Sequence, residues 1–309
     1  MDFSNYPIVP KIYQGANGKK ICINMNNHFY MLKFPSIPTR KDSELEYANS
    51  CFSEYVSCHI YDALGIPAQE TLLGTFRVNN KEKIVVACKD FEVDDFRFHD
   101  FASLKNSVLT SEYSGYGTEL KDVLYSIEEQ HFVDSNAARQ RFWDMFIVDS
   151  YIGNFDRHNG NWGFLFNTKT LETRLAPVFD CGSSLFPYAS DRQMESFLNN
   201  EKEIEYRVFA IPQSALRING IKINPYVFLQ ETTDTSCIRS LLELTPKIEV
   251  AQSKINQIID STSFISDVHK EFMKTILSQR FENILKPALR LHQSPHIHLT
   301  KSLGKGMER

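Results

Sequence analysis

Ile152-Gly153-Asn154-Phe155-Asp156-Arg157-His158-Asn159-Gly160-Asn161-Trp162-Gly163, followed by Leu175-Ala176-Pro177-Val178-Phe179-Asp180-Cys181-Gly182, is the stretch on which the reading of this chain turns. An Asp is followed five residues later by an Asn, and a second Asp then closes a short apolar run before a Gly. Asp, Asn and Gly are ordinary turn residues, so a polar surface loop is the plain alternative. Its surroundings oppose that reading. The first acid follows the apolar helix-like run Phe142-Trp143-Asp144-Met145-Phe146-Ile147-Val148, and the second follows residues 175–179, so both stand at the ends of elements that ought to be buried. Two carboxylates and a carboxamide brought to one point suit one chemistry in particular. One acid orients a hydroxyl and accepts its proton, while the other acid and the amide oxygen are hard ligands for a divalent cation. Asp156 is assigned the first role, and Asn161 and Asp180 the second, with Mg²⁺ as the expected ion. Gly182 is expected to permit a close turn after Asp180.

Working outward, the first ~90 residues read as strands with one helix inserted. Residues 20–25 alternate, with Ile21, Ile23 and Met25 on one face. Asn26-Asn27 supplies a turn and residues 28–34 resume as a strand. Residues 71–78 and 84–88 flank Asn79-Asn80 as a second hairpin. Between the hairpins, Ser43 with Glu46 three residues on is a capping-box pattern, and Leu64-Gly65 before Pro67 is a stop, which together predict a helix. Beyond about residue 98 the chain turns mainly helical. Asp134 or Ser135 caps a long helix that Gly153 and Asn154 end. Short strands are expected at 162–166 and 175–179, and a further helix at 266–285. No periodicity marks the segment from residue 293 onward, which is expected to be a flexible tail.

A phosphoryl-transfer centre also needs a grip on the triphosphate. Lys33 shares a half-buried strand face with Phe29 and Met31, where a lysine requires an anionic partner. Glu54 lies on the predicted helix with Cys51 and Cys58 on its face. Side chains this small let the helix approach the sheet closely enough for a Lys33–Glu54 pair. Gly15-Ala16-Asn17-Gly18 precedes the first long strand and could bring backbone N–H groups to phosphate. It is not a Walker A loop, and an Asn17-Gly18 turn accounts for it equally well. Residues 84–88 would lead into a lobe connection near 89–91, so Ala87, Lys89 and Phe91 are assigned to the base, and His158 joins the nucleotide-binding set.

These residues resemble those of the HipA-like kinases of bacteria, a family that shares its core with protein and phosphoinositide kinases. Phe29-Tyr30-Met31-Leu32-Lys33-Phe34-Pro35 is similar to the family's ATP-lysine strand, and Phe52-Ser53-Glu54-Tyr55-Val56 to its helix glutamate. Asp156, Asn161 and Asp180 match its catalytic and metal motifs. The likeness spans about residues 9–290 and is nearest to the short members, of CtkA and HipT type. The resemblance implies an α+β, two-lobed kinase fold with a β-rich N-lobe (1–90), a helical C-lobe (91–292) and a tail (293–309). It further implies serine/threonine protein kinase activity with ATP and Mg²⁺, often with autophosphorylation. The implied setting is either a toxin with an antitoxin partner, acting on aminoacyl-tRNA synthetases, or an effector acting on a host protein. One departure stands out: HipA-type kinases carry a regulatory serine before the glycine-rich loop, whereas Ile12-Tyr13-Gln14 stands here, with Tyr13 as the alternative.

Composition narrows the classes. With 34 basic and 38 acidic side chains in 309 residues, the net charge of −4 argues against nucleic-acid binding by bulk charge. No apolar run reaches the roughly 18–20 residues that span a bilayer, and the N-terminus lacks a secretory pattern. Cys22, Cys51, Cys58, Cys88, Cys181 and Cys237 form no C-x-x-C pair, which suits reduced thiols in a cytoplasmic protein. Two other readings compete. Asp156-Arg157-His158 with Asn161 also fits a lipid kinase, but residues 181–188 contain no Lys or Arg to meet inositol phosphates. An inactive binding module is the other.

Overall fold

A computed structural model describes residues 1–13, 19–38, 44–109 and 115–293. Gly15, Ala16, Asn17, Gly18 and Ser43, and residues 294–309 of the expected tail, lie outside the described residues.

The N-terminal part is built on a sheet of five antiparallel strands, β1 (Ile8–Val9), β2 (Lys20–Met25), β3 (His28–Lys33), β4 (Thr71–Val78) and β5 (Lys81–Lys89), in the order β1-β2-β3-β5-β4. Both hairpins turn on an Asn pair with positive φ, 52° and 64° at Asn26-Asn27 and 49° and 60° at Asn79-Asn80. This geometry matches the natural strand twist, and Asn tolerates it well. Alternation then sorts the side chains. Ile23, Met25, Tyr30, Leu32, Val85 and Ala87 cover one face together with Phe3, while Val86 and Cys88 meet Cys51 on the other.

Helix α1 (Ser50–Ala63) sits on that second face, packed against β4 and β5 and also against α8 (Thr235–Ser261). Its Phe52, Val56, Ile60 and Tyr61 belong to the main core of the helical part. The helix begins later than the capping-box pattern predicts. Residues 44–49 are non-helical and Asn49 is the N-cap, with no side-chain capping bond. Tertiary contacts take that side chain instead: Asn49 Nδ2 donates to the Ala189 carbonyl at 2.9 Å. The stop at Gly65 (φ 77°) is as expected.

The C-terminal part opens with β6 (Phe96–Asp100), α2 (Phe101–Val108) and α3 (Leu120–Glu129). Helix α4 (Ser135–Ile152) follows, capped by the Asp134 side chain on Ala137 N and ended by left-handed Gly153. Every residue from Met145 to Ile152 is buried, so this helix runs through the core and delivers the loop of Asp156 and Asn161 from a fixed end. Strands β7 (Gly163–Asn167) and β8 (Thr173–Leu175) complete a three-stranded sheet with β6. The second strand therefore precedes the predicted 175–179. Pro177 has no N–H to continue the ladder, and Val178 makes only an isolated bridge to Ala68. Helices α5 (Asp191–Leu198) and α6 (Glu201–Glu205), a hairpin of β9 (Arg217–Ile218) and β10 (Ile221–Lys222), and α7 (Pro225–Glu231) lead into α8. The region read as one helix at 266–285 is α9 (Asp267–Arg280) continued by a wider turn, Phe281–Leu285, into α10 (Lys286–Gln293). Among the described residues no helix is long and apolar enough to cross a membrane.

Candidate active site

Lys33, the last residue of β3, points off the sheet toward α1 and the loop that carries Asp180. Its Nζ lies 3.1 Å from Glu54 Oε2 and 2.8 Å from Asp180 Oδ1. Glu54 is 1% exposed, so its charge depends on Lys33 for compensation. Burial by itself would lower the Lys33 pKa, but Asp180 and then Glu54 outweigh it and hold the ammonium well above its ordinary value. The same pairing acts on Asp180. Burial pulls its pKa up, Lys33 more than reverses this, and the carboxyl falls to about 2.

Asp180 adopts a left-handed backbone, φ 57°, a conformation Asp enters more readily than most residues and one that often marks functional sites. Gly182 is needed for a different reason from the turn predicted. A Cβ there would meet Glu54 Oε2 and the Ser50 carbonyl, each at 3.3 Å, so its bare backbone lets this loop approach α1. The close turn itself falls on Asp180.

Asp156 follows α4 by four residues. Its carboxylate takes no hydrogen bond from any described residue, and burial raises its pKa, with His158 opposing and Asp180 reinforcing the effect. Asn161 is 6% exposed and spends its NH₂ on the Asp156 carbonyl, Nδ2 to O 2.9 Å, which leaves Oδ1 as its outward group. His158 shapes the loop: its Nδ1 accepts from Gly160 N at 3.0 Å, and its ring meets Tyr116 edge-on at 6.1 Å.

Sequence reasoning missed Arg157 and Asp149. Arg157, 9% exposed, sets its fork on Asp149 (Nε–Oδ2 2.9 Å, Nη2–Oδ1 3.3 Å). It also donates from Nη1 to the carbonyls of Asn161 (2.8 Å) and Phe179 (2.5 Å), and from Nη2 to Cys181 Sγ (3.2 Å). Tyr61 of α1 (2.8 Å) and Asn154 (3.0 Å) donate to Asp149 Oδ1. One guanidinium thus ties the loop of Asp156 and Asn161 to the residues on either side of Asp180. A signal did exist: Asp149 is an acid inside a largely apolar helix end, which needs a buried cation.

At the other end of the site, the segment entering the expected glycine loop is tied to the strand end that follows β5. Lys11 Nζ reaches Asp90 Oδ2 (2.6 Å) and Glu92 Oε2 (3.0 Å), and the Tyr13 hydroxyl donates to Asp90 Oδ2 at 2.8 Å. Of the residues assigned to the base, Phe91 packs edge-on with Phe98 and beside Phe179, next to Asp180. Ala87 faces the opposite cluster, opposite Leu32. Lys89 is turned to the sheet: its amide bonds the Glu70 carbonyl at 2.8 Å and its ammonium the Glu70 carboxylate at 2.7 Å.

Among the described residues no three His, Cys, Asp or Glu side chains converge as a metal cage. Mg²⁺ does not demand one, because it takes one or two protein oxygens and completes its shell from phosphate and water. Asp180, 44% exposed, and Asn161 Oδ1 provide oxygens of that kind.

The chain is similar to known proteins over most of its length. The family described as the HipA-like C-terminal domain matches residues 12–276. The serine/threonine-protein kinase CtkA of Helicobacter pylori strain J99 is 48% identical over 290 residues, which is 93% of this chain and 87% of that protein. The crystal structure of a H. pylori proinflammatory kinase CtkA matches with a TM-score of 0.87 at 46% identity, covering 94% of this chain and 98% of that one. HipA of Shewanella oneidensis MR-1, solved with HipB and operator DNA, shares the fold at TM-score 0.53 and 14% identity, over 93% of this chain and 70% of that one. With Lys33, Glu54, Asp156, Asn161 and Asp180 arranged as described, the chain belongs to the HipA-like family, as a serine/threonine protein kinase.

Proposed function

We propose that this kinase transfers the γ-phosphoryl group of Mg-ATP to a serine or threonine hydroxyl of a protein, its own chain included. The observation that carries the reading is the link from buried Glu54 through Lys33 to Asp180. It places a fixed cation between the sheet and the metal-loop carboxylate, where a triphosphate needs one. Residues 1–90 then act as the nucleotide clamp and residues 91–292 as the catalytic part.

Mg-ATP, when bound, supplies the transferable group and a cation that neutralises the charge on its phosphates. Lys33 holds phosphate oxygens, and Glu54 keeps Lys33 from swinging away. Asp180 and Asn161 Oδ1 would hold the cation. Asp156 orients the substrate hydroxyl and receives its proton, and its raised pKa makes it a better acceptor. Its carboxylate, with no hydrogen bond from the described residues, is available for that hydroxyl. For the cellular role we favour a toxin or an effector that acts on a protein target, with a cytoplasmic site of action, as in the family it belongs to.

The test is transfer of label from γ-labelled ATP to protein, to peptide and to phosphoinositide. The wild-type chain should label protein hydroxyls and itself. Asp156→Asn should bind Mg-ATP and transfer nothing. Labelling of lipid in preference to protein would replace this reading with a lipid kinase. No transfer, together with no Mg-dependent thermal shift, would leave only a binding module.

A further inference from the structure

The segment at 115–119 and the hairpin of β9 and β10 are built against the loop that carries Asp156. Buried Asn159 donates from Nδ2 to the carbonyls of Gly115 (2.7 Å) and Gly117 (2.9 Å), and the Tyr116 ring meets His158. The Thr118 carbonyl accepts from Arg217 N at 2.9 Å, and the Thr118 hydroxyl donates to the Ala215 carbonyl at 2.8 Å. The turn at Asn219-Gly220 has positive φ at both residues, 52° and 79°. Glu119 closes it, its carboxylate accepting from Asn219 N at 3.0 Å and from Gly220 N at 2.6 Å. Buried Leu216 and Ile223 anchor the two strands from below. The hairpin is therefore a fixed element beside the Asp156 loop.

Its register sets Lys222 opposite Arg217, so both project from one face. The Lys222 charge is felt at Asp156, where it works against burial. Neither cation makes an ion pair among the described residues, and the Glu119 carboxylate is committed to the turn amides. Two exposed tyrosines stand by the same loop. Tyr116 lies against His158, and the Tyr188 ring is 6.5 Å from that of Phe155, the residue before Asp156. Exposed aromatic rings are enriched where proteins bind one another, and a fixed cationic face sets the charge of what can dock.

We propose that the β9–β10 hairpin reads the protein substrate: Lys222, with Arg217 beside it, selects a segment that carries a carboxylate side chain within a few residues of the acceptor serine or threonine, and Tyr116 and Tyr188 support that segment across the Asp156 loop. The occupant is the acceptor segment because this surface is continuous with Asp156, the group that must meet the acceptor hydroxyl. The inference rests on the protein-kinase reading above and names its substrate class.

The experiment gives the chain γ-labelled ATP and peptides that hold one serine in a neutral background, with a single Glu or a single Lys moved through the neighbouring positions. Wild type should prefer Glu to Lys about tenfold in kcat/KM at one position or more, since one peptide gains an exposed ion pair and the other meets a like charge. Lys222 is exposed, so its variants should fold. Lys222→Gln should bring the ratio toward one and Lys222→Glu should invert it, and the wild-type preference should weaken as salt rises. The inference alone is overturned if wild type labels protein but none of the peptides, or labels Glu and Lys peptides alike. It is equally overturned if both variants keep the wild-type ratio, or if they raise KM for ATP and leave the ratio alone, which would put Lys222 on the nucleotide's phosphates. A wild-type chain that labels neither peptide nor protein would overturn this inference and the protein-kinase reading together.

Discussion

Replacing Arg157 by Lys tests how the loops that carry Asp156 and Asp180 are held. The guanidinium reaches five acceptor atoms, on Asp149, Asn161, Phe179 and Cys181. Lysine keeps the charge beside Asp149 but not the planar fork that spans both carbonyls. Asp149 retains Tyr61 and Asn154 as donors, so it is not left bare. The stability cost is then the loss of bonds to the Asn161 and Phe179 carbonyls, about 1–1.5 kcal/mol each and about 2–3 kcal/mol in total. The catalytic cost should be larger. Asp156 and Asn161 are on one loop and Asp180 on the other, and a relative displacement of about 1 Å costs on the order of 100-fold in rate. Urea denaturation measures the first quantity, and single-turnover phosphoryl transfer at saturating ATP the second. Arg157→Met should cost about 3–5 kcal/mol, as expected for breaking a buried ion pair. Adding Asp149→Asn to it should restore part of that stability and none of the rate. Wild-type turnover in folded Arg157→Lys, or recovery of rate in the double variant, would refute the idea that this residue aligns the loops.

Two further outcomes follow from the electrostatics. The folded-state pKa of Asp180 is about 2, below its ordinary value near 3.8, so the group stabilises the fold fully above about pH 4 and loses that contribution as pH falls toward 2. Asp180→Asn should flatten this part of the acid limb in urea titrations, besides weakening Mg-ATP binding; an unchanged acid limb would refute the Lys33–Asp180 pair. All six cysteines are free and buried, and burial pushes the Cys51 thiol up to about 12 and lifts the Cys88 thiol well above its ordinary value. Ellman's reagent should therefore find no fast thiol in the native protein and six after unfolding. A native Cys51 or Cys88 thiol reacting at the unfolded rate would mean that the contact between α1 and the sheet opens in solution.

How much could be read from the chain differed by the distance over which each feature is decided. Both Asn-Asn turns were legible because two residues and their φ angles set a hairpin's register. Helix α4 and its ends at Asp134 and Gly153 were legible for the same local reason. The start of α1 was not, since Asn49 spends its side chain on Ala189, far along the chain. The pairing of Lys89 with Glu70 was not legible for a similar reason, because it joins residues 19 apart along the chain.

The sequence by itself determined which groups could do the chemistry: the spacing of Asp156, Asn161 and Asp180, the lysine on a half-buried strand and the glutamate on the following helix. These are statements about residue type and short separation, and steric and hydrogen-bonding rules act over such separations without knowledge of the fold. Only the tertiary structure decided what holds those groups in register. The Arg157 fork joins loops 22 residues apart at Phe179, and Lys33 meets an acid 147 residues away. Buried charges choose their partners by proximity in the packed core, and that proximity exists only once the helices and the sheet have closed around them.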